Sequence, residues 1–142
     1  MELTFPIEKV FEFFADASNL QRITPRELGF EIVTPQPISI KRGATIDYKI
    51  RVVGFPLRWR SLISRWDPPN EFVDEQVLGP YKSWKHIHRF TATTQGTRIA
   101  DEVNYELRFE PFGELAFPLV KIQLKKIFAF RETAIQKFFA KK

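Results

Sequence analysis

The chain has 142 residues, 44% of them hydrophobic and 15% aromatic, with 15 Phe. That length and composition predict one domain with a substantial core and exclude a disordered chain. Cysteine is absent, which excludes disulfide and thiol chemistry, and the net charge is +5. No apolar run is long enough to span a membrane and no signal peptide is apparent, so a cytoplasmic protein is expected.

Met1–Phe5 is a short extended stub. Pro6 suits the first position of a helix, and Ile7, Val10, Phe11 and Phe14 repeat at helical spacing. Asp16-Ala17-Ser18-Asn19 interrupts that helix and offers caps for a second short one, about Asn19 to Ile23, ending before Pro25. Strands are then predicted at Phe30–Thr34, Thr45–Val53, Leu57–Trp66, Glu71–Leu78, Lys82–Thr91 and Thr97–Phe109. Gly54-Phe55-Pro56, Asp67-Pro68-Pro69-Asn70, Gly79-Pro80 and Gln95-Gly96 supply the turns. Pro111 and Gly113 end the sheet.

A long helix from about Glu114 to Lys142 closes the chain. Val120, Leu124, Ile127, Phe128, Ala134, Ile135, Phe138 and Phe139 share one arc, and Arg131 interrupts it. From Lys121 onward seven Lys or Arg face one acid, Glu132. A solvated helix face explains them, and an acidic partner or a membrane surface is the alternative. Short connections force antiparallel neighbours. Strands grouped apart from helices predict an α+β fold, in which a curved antiparallel sheet wraps the last helix.

The run Phe5-Pro6-Ile7-Glu8-Lys9-Val10-Phe11-Glu12-Phe13-Phe14, with Asn19-Leu20 and Ile23-Thr24-Pro25, resembles the opening of the START-like, birch-pollen-allergen-like helix-grip superfamily. The run Trp66-Asp67-Pro68-Pro69, Phe72-Val73-Asp74-Glu75-Gln76, Gly79-Pro80-Tyr81, Trp84-Lys85-His86-Ile87-His88-Arg89-Phe90, with Gly96-Thr97 and Asp101, is similar to a bacterial branch described as polyketide cyclase/dehydrase-like or ligand-binding SRPBCC. The first strand is shorter than members usually carry. The resemblance implies two short helices after that strand and a cavity for apolar ligands between sheet and final helix. It does not imply one function, because the superfamily includes carriers, receptors, cyclases and other activities.

Period two places Trp84, His86, His88 and Phe90 on one strand face, and Ile99, Asp101, Val103, Tyr105 and Leu107 on one face of the next. Both sets are expected to face inward. Periodicity does not choose a face for the strand carrying Asp74; the resemblance implies that Phe72, Asp74 and Gln76 point inward. The expected interior then holds Asp74, Gln76, His86, His88 and Asp101, with Arg131 added by the helix. Buried charges need partners, so Arg131 or a histidine is expected to pair with Asp101 or Asp74. Such a set is either a structural network, a polar end for a ligand, or an acid–base set using His86 or His88 with Asp101.

Tyr48, Ile50, Trp59, Ile63, Trp84, Tyr105 and Phe128 are candidate cavity walls. His86-x-His88 with Asp101 imitates a metal-binding facial triad. A cupin-like site needs a glutamate a few residues on, where Ala92 and Thr93 stand, so no metal and no cofactor is expected. Arg51, Arg58, Arg60 and Arg65 fall mostly on the outer face, and no nucleic-acid motif appears. Three functions are open: binding of an apolar or aromatic small molecule, a cyclase/dehydrase-type enzyme, or a lipid or quinone carrier acting near membranes.

Overall fold

The computed structural model describes residues 1–52, 54–109 and 112–141. Val53, Pro111 and Lys142, expected at the ends of a strand, the sheet and the last helix, lie outside them. Strands β1 (Glu2–Leu3), β2 (Glu31–Ile32), β3 (Thr45–Val52), β4 (Phe55–Asp67), β5 (Glu71–Leu78), β6 (Ser83–Thr93) and β7 (Gly96–Glu106) form one antiparallel sheet in the order β1-β7-β6-β5-β4-β3-β2. Helix α1 (Ile7–Ala15) follows β1, and α2 (Phe112–Phe139) ends the fold. The architecture is an α+β helix grip, with the curved sheet around the long C-terminal helix.

Several boundaries differ from expectation. The second short helix is a 3₁₀ segment, Ala17–Gln21, and a further 3₁₀ turn covers Arg26–Leu28. A run this short makes its capping through Asp16, whose carboxylate accepts from the Ser18 amide at 2.9 Å. Strand β2 keeps two residues of the expected five. Strand β4 starts at Phe55, inside the expected turn, because Phe55 and Pro56 pair with Val52 and Arg51 in the hairpin. Register shifts at Arg60/Ser61 and Ile63/Arg65 let this 13-residue strand bend.

The core sits where α1, the sheet and the C-terminal end of α2 meet. Phe11 lies against Trp66, Phe72 and Phe90 at 5.1–6.0 Å between ring centroids. Phe13, outside the expected stripe, is buried against Phe138 and Phe139. Ile135 and Phe139 are fully or almost fully buried and anchor α2 there. Gly96 turns the β6–β7 hairpin beneath β1; a Cβ there would overlap the backbone of Leu3, Thr4 and Phe5.

Toward its N-terminal end α2 leaves the core. Its apolar arc faces the sheet as expected, but Val120, Leu124, Ile127 and Phe128 are only half-buried, while Leu115, Leu119 and Ile122 are exposed. Helix α2 also extends two residues before Glu114 and carries Pro118 within it. A proline there, in the second turn, forfeits the backbone bond that its N–H would make to the Glu114 carbonyl.

Candidate functional site

Between the sheet and α2 lies a cavity of about 150 Å³. Its walls come from three sources. Ile46, Tyr48, Ile50 and Val52 project from β3, and Trp59, Ser61 and Ile63 from β4, each set by strict alternation. Leu124, Ile127, Phe128 and Arg131 descend from α2. Phe13 and Phe14 of α1, with Leu28 and Phe30, close one side.

One end of the cavity is an aromatic cluster. Tyr48 stacks on Trp59 at 5.9 Å and 15°, Trp59 meets Trp84 edge-on at 5.4 Å, and Tyr81 adjoins both tryptophans. Ser61, 4% exposed, is the polar seat beneath. It accepts from Trp59 Nε1 at 3.1 Å and lies 3.2 Å from the Tyr48 hydroxyl. Burial pushes the Tyr48 hydroxyl pKa well up, and burial with neighbouring Tyr105 pushes Tyr81 to about 12, so both phenols stay protonated donors.

The other end is charged. His86 and His88 project side by side from β6, with Asp74 opposite His86 on β5 and Asp101 opposite His88 on β7. The close bonds run diagonally: His86 Nε2 to Asp101 Oδ1 at 2.8 Å, and His88 Nε2 to Asp74 Oδ2 at 2.9 Å. The second nitrogens face the remaining carboxylates. His88 Nδ1 lies 3.0 Å from Asp101 Oδ1, off the hydrogen-bond axis, and His86 Nδ1 lies 3.7 Å from Asp74 Oδ2. Phe72 stacks on His88 at 4.1 Å and holds the ring in place.

These four groups do not share charge evenly. Burial pulls His86 down to about 4, and the His88 charge adds to that; its bond to Asp101 only partly offsets them. His88 meets the same burial, but the two carboxylates its ring faces outweigh it and raise its pKa. Burial opposes ionisation of Asp74 and Asp101, yet their imidazole partners hold both below the usual carboxylate range. The set therefore favours its proton on His88, keeps His86 neutral and keeps both carboxylates ionised.

The expectation that a histidine pairs with Asp74 or Asp101 therefore holds for both histidines and both aspartates. Arg131 differs. Among the described residues no carboxylate reaches it, its Nε is buried without a hydrogen-bond partner, and its guanidinium lies 5.4 Å from the Phe128 ring centre. Asp101 does not line the main cavity. It opens instead, with Arg131, Phe128 and Glu132, into a cleft between the β7 edge and α2.

One expected interior polar residue, Gln76, and one expected wall residue, Tyr105, also lie elsewhere. Gln76 spends its amide on the backbone of Tyr81, at 2.9 and 3.1 Å, and so closes the β5–β6 turn. Tyr105 stacks on Phe117 at 5.7 Å outside the cavity lining. Ser61, Phe14 and Tyr81 escaped the sequence analysis. Ser61 alone carried a signal, since it shares a face with Trp59 and Ile63 by alternation. On the outer face Arg60 pairs with Asp47 at 2.6 Å and Arg65 with Glu71 at 3.1 Å.

Donor atoms of Asp74, His86 and His88 lie within 4.8 Å of one another. The rings, however, lie 3.7 Å apart and only 37° from parallel. Each ring also spends its Nε2 within the set, His86 on Asp101 and His88 on Asp74. The donor set fits a hydrogen-bonded network better than a metal.

A family model described as polyketide cyclase / dehydrase and lipid transport matches residues 3–131. The chain belongs to that family. No curated protein matches it. Among solved structures, a protein from Thermus thermophilus is similar at 20% identity and a TM-score of 0.73, covering 97% of this chain and 92% of that one. A solution structure from Arthrobacter aurescens gives 11% identity and a TM-score of 0.73, over 100% of this chain and 84% of that one. The ginseng major latex-like protein 151 gives 13% and 0.67, over 98% and 93%. At these identities the likeness shows the helix-grip fold. Among the described residues no helix is long and apolar enough to cross a membrane.

Proposed function

We propose that the protein binds an apolar or aromatic small molecule in the cavity between the sheet and α2. The observation that carries this is a lined, apolar-walled space bounded by Tyr48, Trp59 and Trp84 at one end and charged groups at the other. Family membership supports it, because the family includes lipid transport. Native mass spectrometry of protein purified without detergent tests it directly. A co-purified small molecule, lost in an Ile127→Trp variant that fills the cavity, is the expected result. Apo protein alone, with no thermal shift from any apolar compound, overturns it.

A second reading is a cyclase/dehydrase-type enzyme. The supporting observation is an imidazole hydrogen-bonded to a carboxylate that lines the cavity, His88 on Asp74. Turnover of a candidate substrate that survives replacement of both His86 and His88 by Gln counts against it. A carrier meeting membranes is supported by exposed Leu115, Leu119 and Ile122 beside Lys121, Lys125 and Lys126 on α2. Sedimentation with anionic vesicles, weakened by Leu119→Glu, tests that role.

A further inference from the structure

Most polar groups lining the cavity have partners within the protein. Tyr48 and Trp59 share Ser61, Asn19 donates to the Phe13 carbonyl at 2.9 Å, and Thr24 donates to the Leu20 carbonyl at 2.6 Å. Two buried nitrogens lack a hydrogen bond among the described residues. One, His88 Nδ1, still has Asp101 at 3.0 Å. The other is Arg131 Nε, which has no such neighbour. A buried guanidinium N–H without an acceptor is costly, and a bound acceptor atom relieves that cost. Arg131 stands on α2 one turn beyond Ile127 and beside Phe128, between the cavity and the outer cleft, so an acceptor that meets it from the cavity side must sit on an apolar body.

Charge narrows the class. The groups lining this end are Asp74 on β5, His86 and His88 on β6 and Arg131 on α2; Asp101 on β7 holds both imidazoles from the outer cleft, where Glu132 also lies. With one imidazole protonated, two carboxylates balance one imidazolium and the guanidinium. An anionic ligand would leave this half-enclosed set with an uncompensated charge, whereas a neutral acceptor keeps the balance. Size narrows it again. About 150 Å³ is the scale of apolar cavities that take up a single benzene ring.

We infer that the ligand is an uncharged carbonyl compound on a small aromatic or alicyclic body, its oxygen accepting a hydrogen bond from Arg131 Nε. This rests on the binding reading proposed above and specifies its ligand class.

Three ring-sized probes test it: acetophenone, ethylbenzene and benzoate, titrated calorimetrically into the full chain near neutral pH. Acetophenone is expected to bind about tenfold or more tighter than ethylbenzene, the gain of one hydrogen bond to a charged donor. Benzoate is expected to bind more weakly than acetophenone. Arg131→Met is expected to erase the preference for acetophenone while ethylbenzene binding persists. Arg131→Lys, which keeps charge without the Nε donor, is expected to reduce it; this variant and the wild-type ratios decide the matter if Arg131→Met does not fold. Equal binding of acetophenone and ethylbenzene overturns the carbonyl class and leaves the binding reading standing. Tightest binding by benzoate overturns it in favour of an acidic head. Binding of none of the three removes the ring-sized carbonyl ligand, and the co-purification experiment then decides the binding reading separately.

Discussion

The rings of His86 and His88 lie 3.7 Å apart, centroid to centroid, on the same face of β6, and share the same two aspartates. Two adjacent imidazolium ions at that distance repel, which favours a single proton on His88, whose ring nitrogens lie 2.9 and 3.0 Å from carboxylate oxygens. Replacing His88 therefore removes a buried cation from between two carboxylates. His88→Gln is expected to cost on the order of 3–5 kcal/mol. His86→Gln removes a neutral hydrogen-bonded group and is expected to cost about 1–2 kcal/mol. Urea unfolding of the two variants near neutral pH measures the difference. Equal losses would mean that the charge is not localised on His88.

The same asymmetry sets a pH dependence. His86 is held neutral by the fold down to about 4, while the unfolded chain takes up its proton near the ordinary value of 6.5. The unfolded state thus binds more protons as pH falls below 6.5, and stability drops by on the order of 3 kcal/mol across that window. Asp74 and Asp101, held below their ordinary range, add a further loss as pH falls below the ordinary carboxylate value of 3.8. His88 acts oppositely. Its raised pKa contributes stability below 6.5 that is lost as pH rises through the folded value. Maximum stability is expected near pH 6.5, the ordinary histidine value from which the two rings depart in opposite directions. His86→Gln should flatten the acid limb above about pH 4, and His88→Gln the alkaline limb, in urea midpoints taken across that range.

Ser61 meets two aromatic polar groups at once, accepting from Trp59 Nε1 and sharing a hydrogen bond with the Tyr48 hydroxyl. Ser61→Ala leaves the Tyr48 hydroxyl and the Trp59 indole N–H without their partner in a buried site, with an expected cost of about 1–3 kcal/mol. Adding Tyr48→Phe removes one orphaned group, so the double variant is expected to be less destabilised than the sum of the singles. A double-mutant cycle from thermal unfolding reads the coupling; strict additivity would show that the hydroxyls do not interact.

Helix α2 is anchored unevenly. Phe139, 3% exposed, lies 4.9 Å from Phe5 and 5.4 Å from Phe13, and Ile135 is fully buried. Phe139→Ala is expected to cost about 3–5 kcal/mol. Residues 113–122, where apolar side chains face solvent, have little to hold them down. Native-state hydrogen exchange is expected to be faster there than from Ile127 to Phe139. Uniform protection along α2 would contradict this uneven anchoring.

Much of this was legible in the chain. Local sequence determined the elements: alternation from Thr45 to Val52 makes a strand in any context, and the arc from Val120 to Phe139 requires a helix with a surface to cover. It also placed His86, His88 and Asp101 on inward faces, because side-chain direction in a strand has period two. The shortening of β2 and the embedding of Pro118 were not legible, since both depend on what neighbouring strands and solvent tolerate. Nor did the pattern decide that Gln76 closes a turn and that Tyr105 lies outside the cavity. Register decided the site. Asp74 stands opposite His86 and Asp101 opposite His88 only because three strands align at particular offsets, and sequence spacing carries no such offset. Whether Arg131 meets a carboxylate depends on the distance α2 keeps from the sheet. Bulky side chains between helix and sheet set that distance, and only their packing together leaves the guanidinium without a carboxylate partner above the cavity.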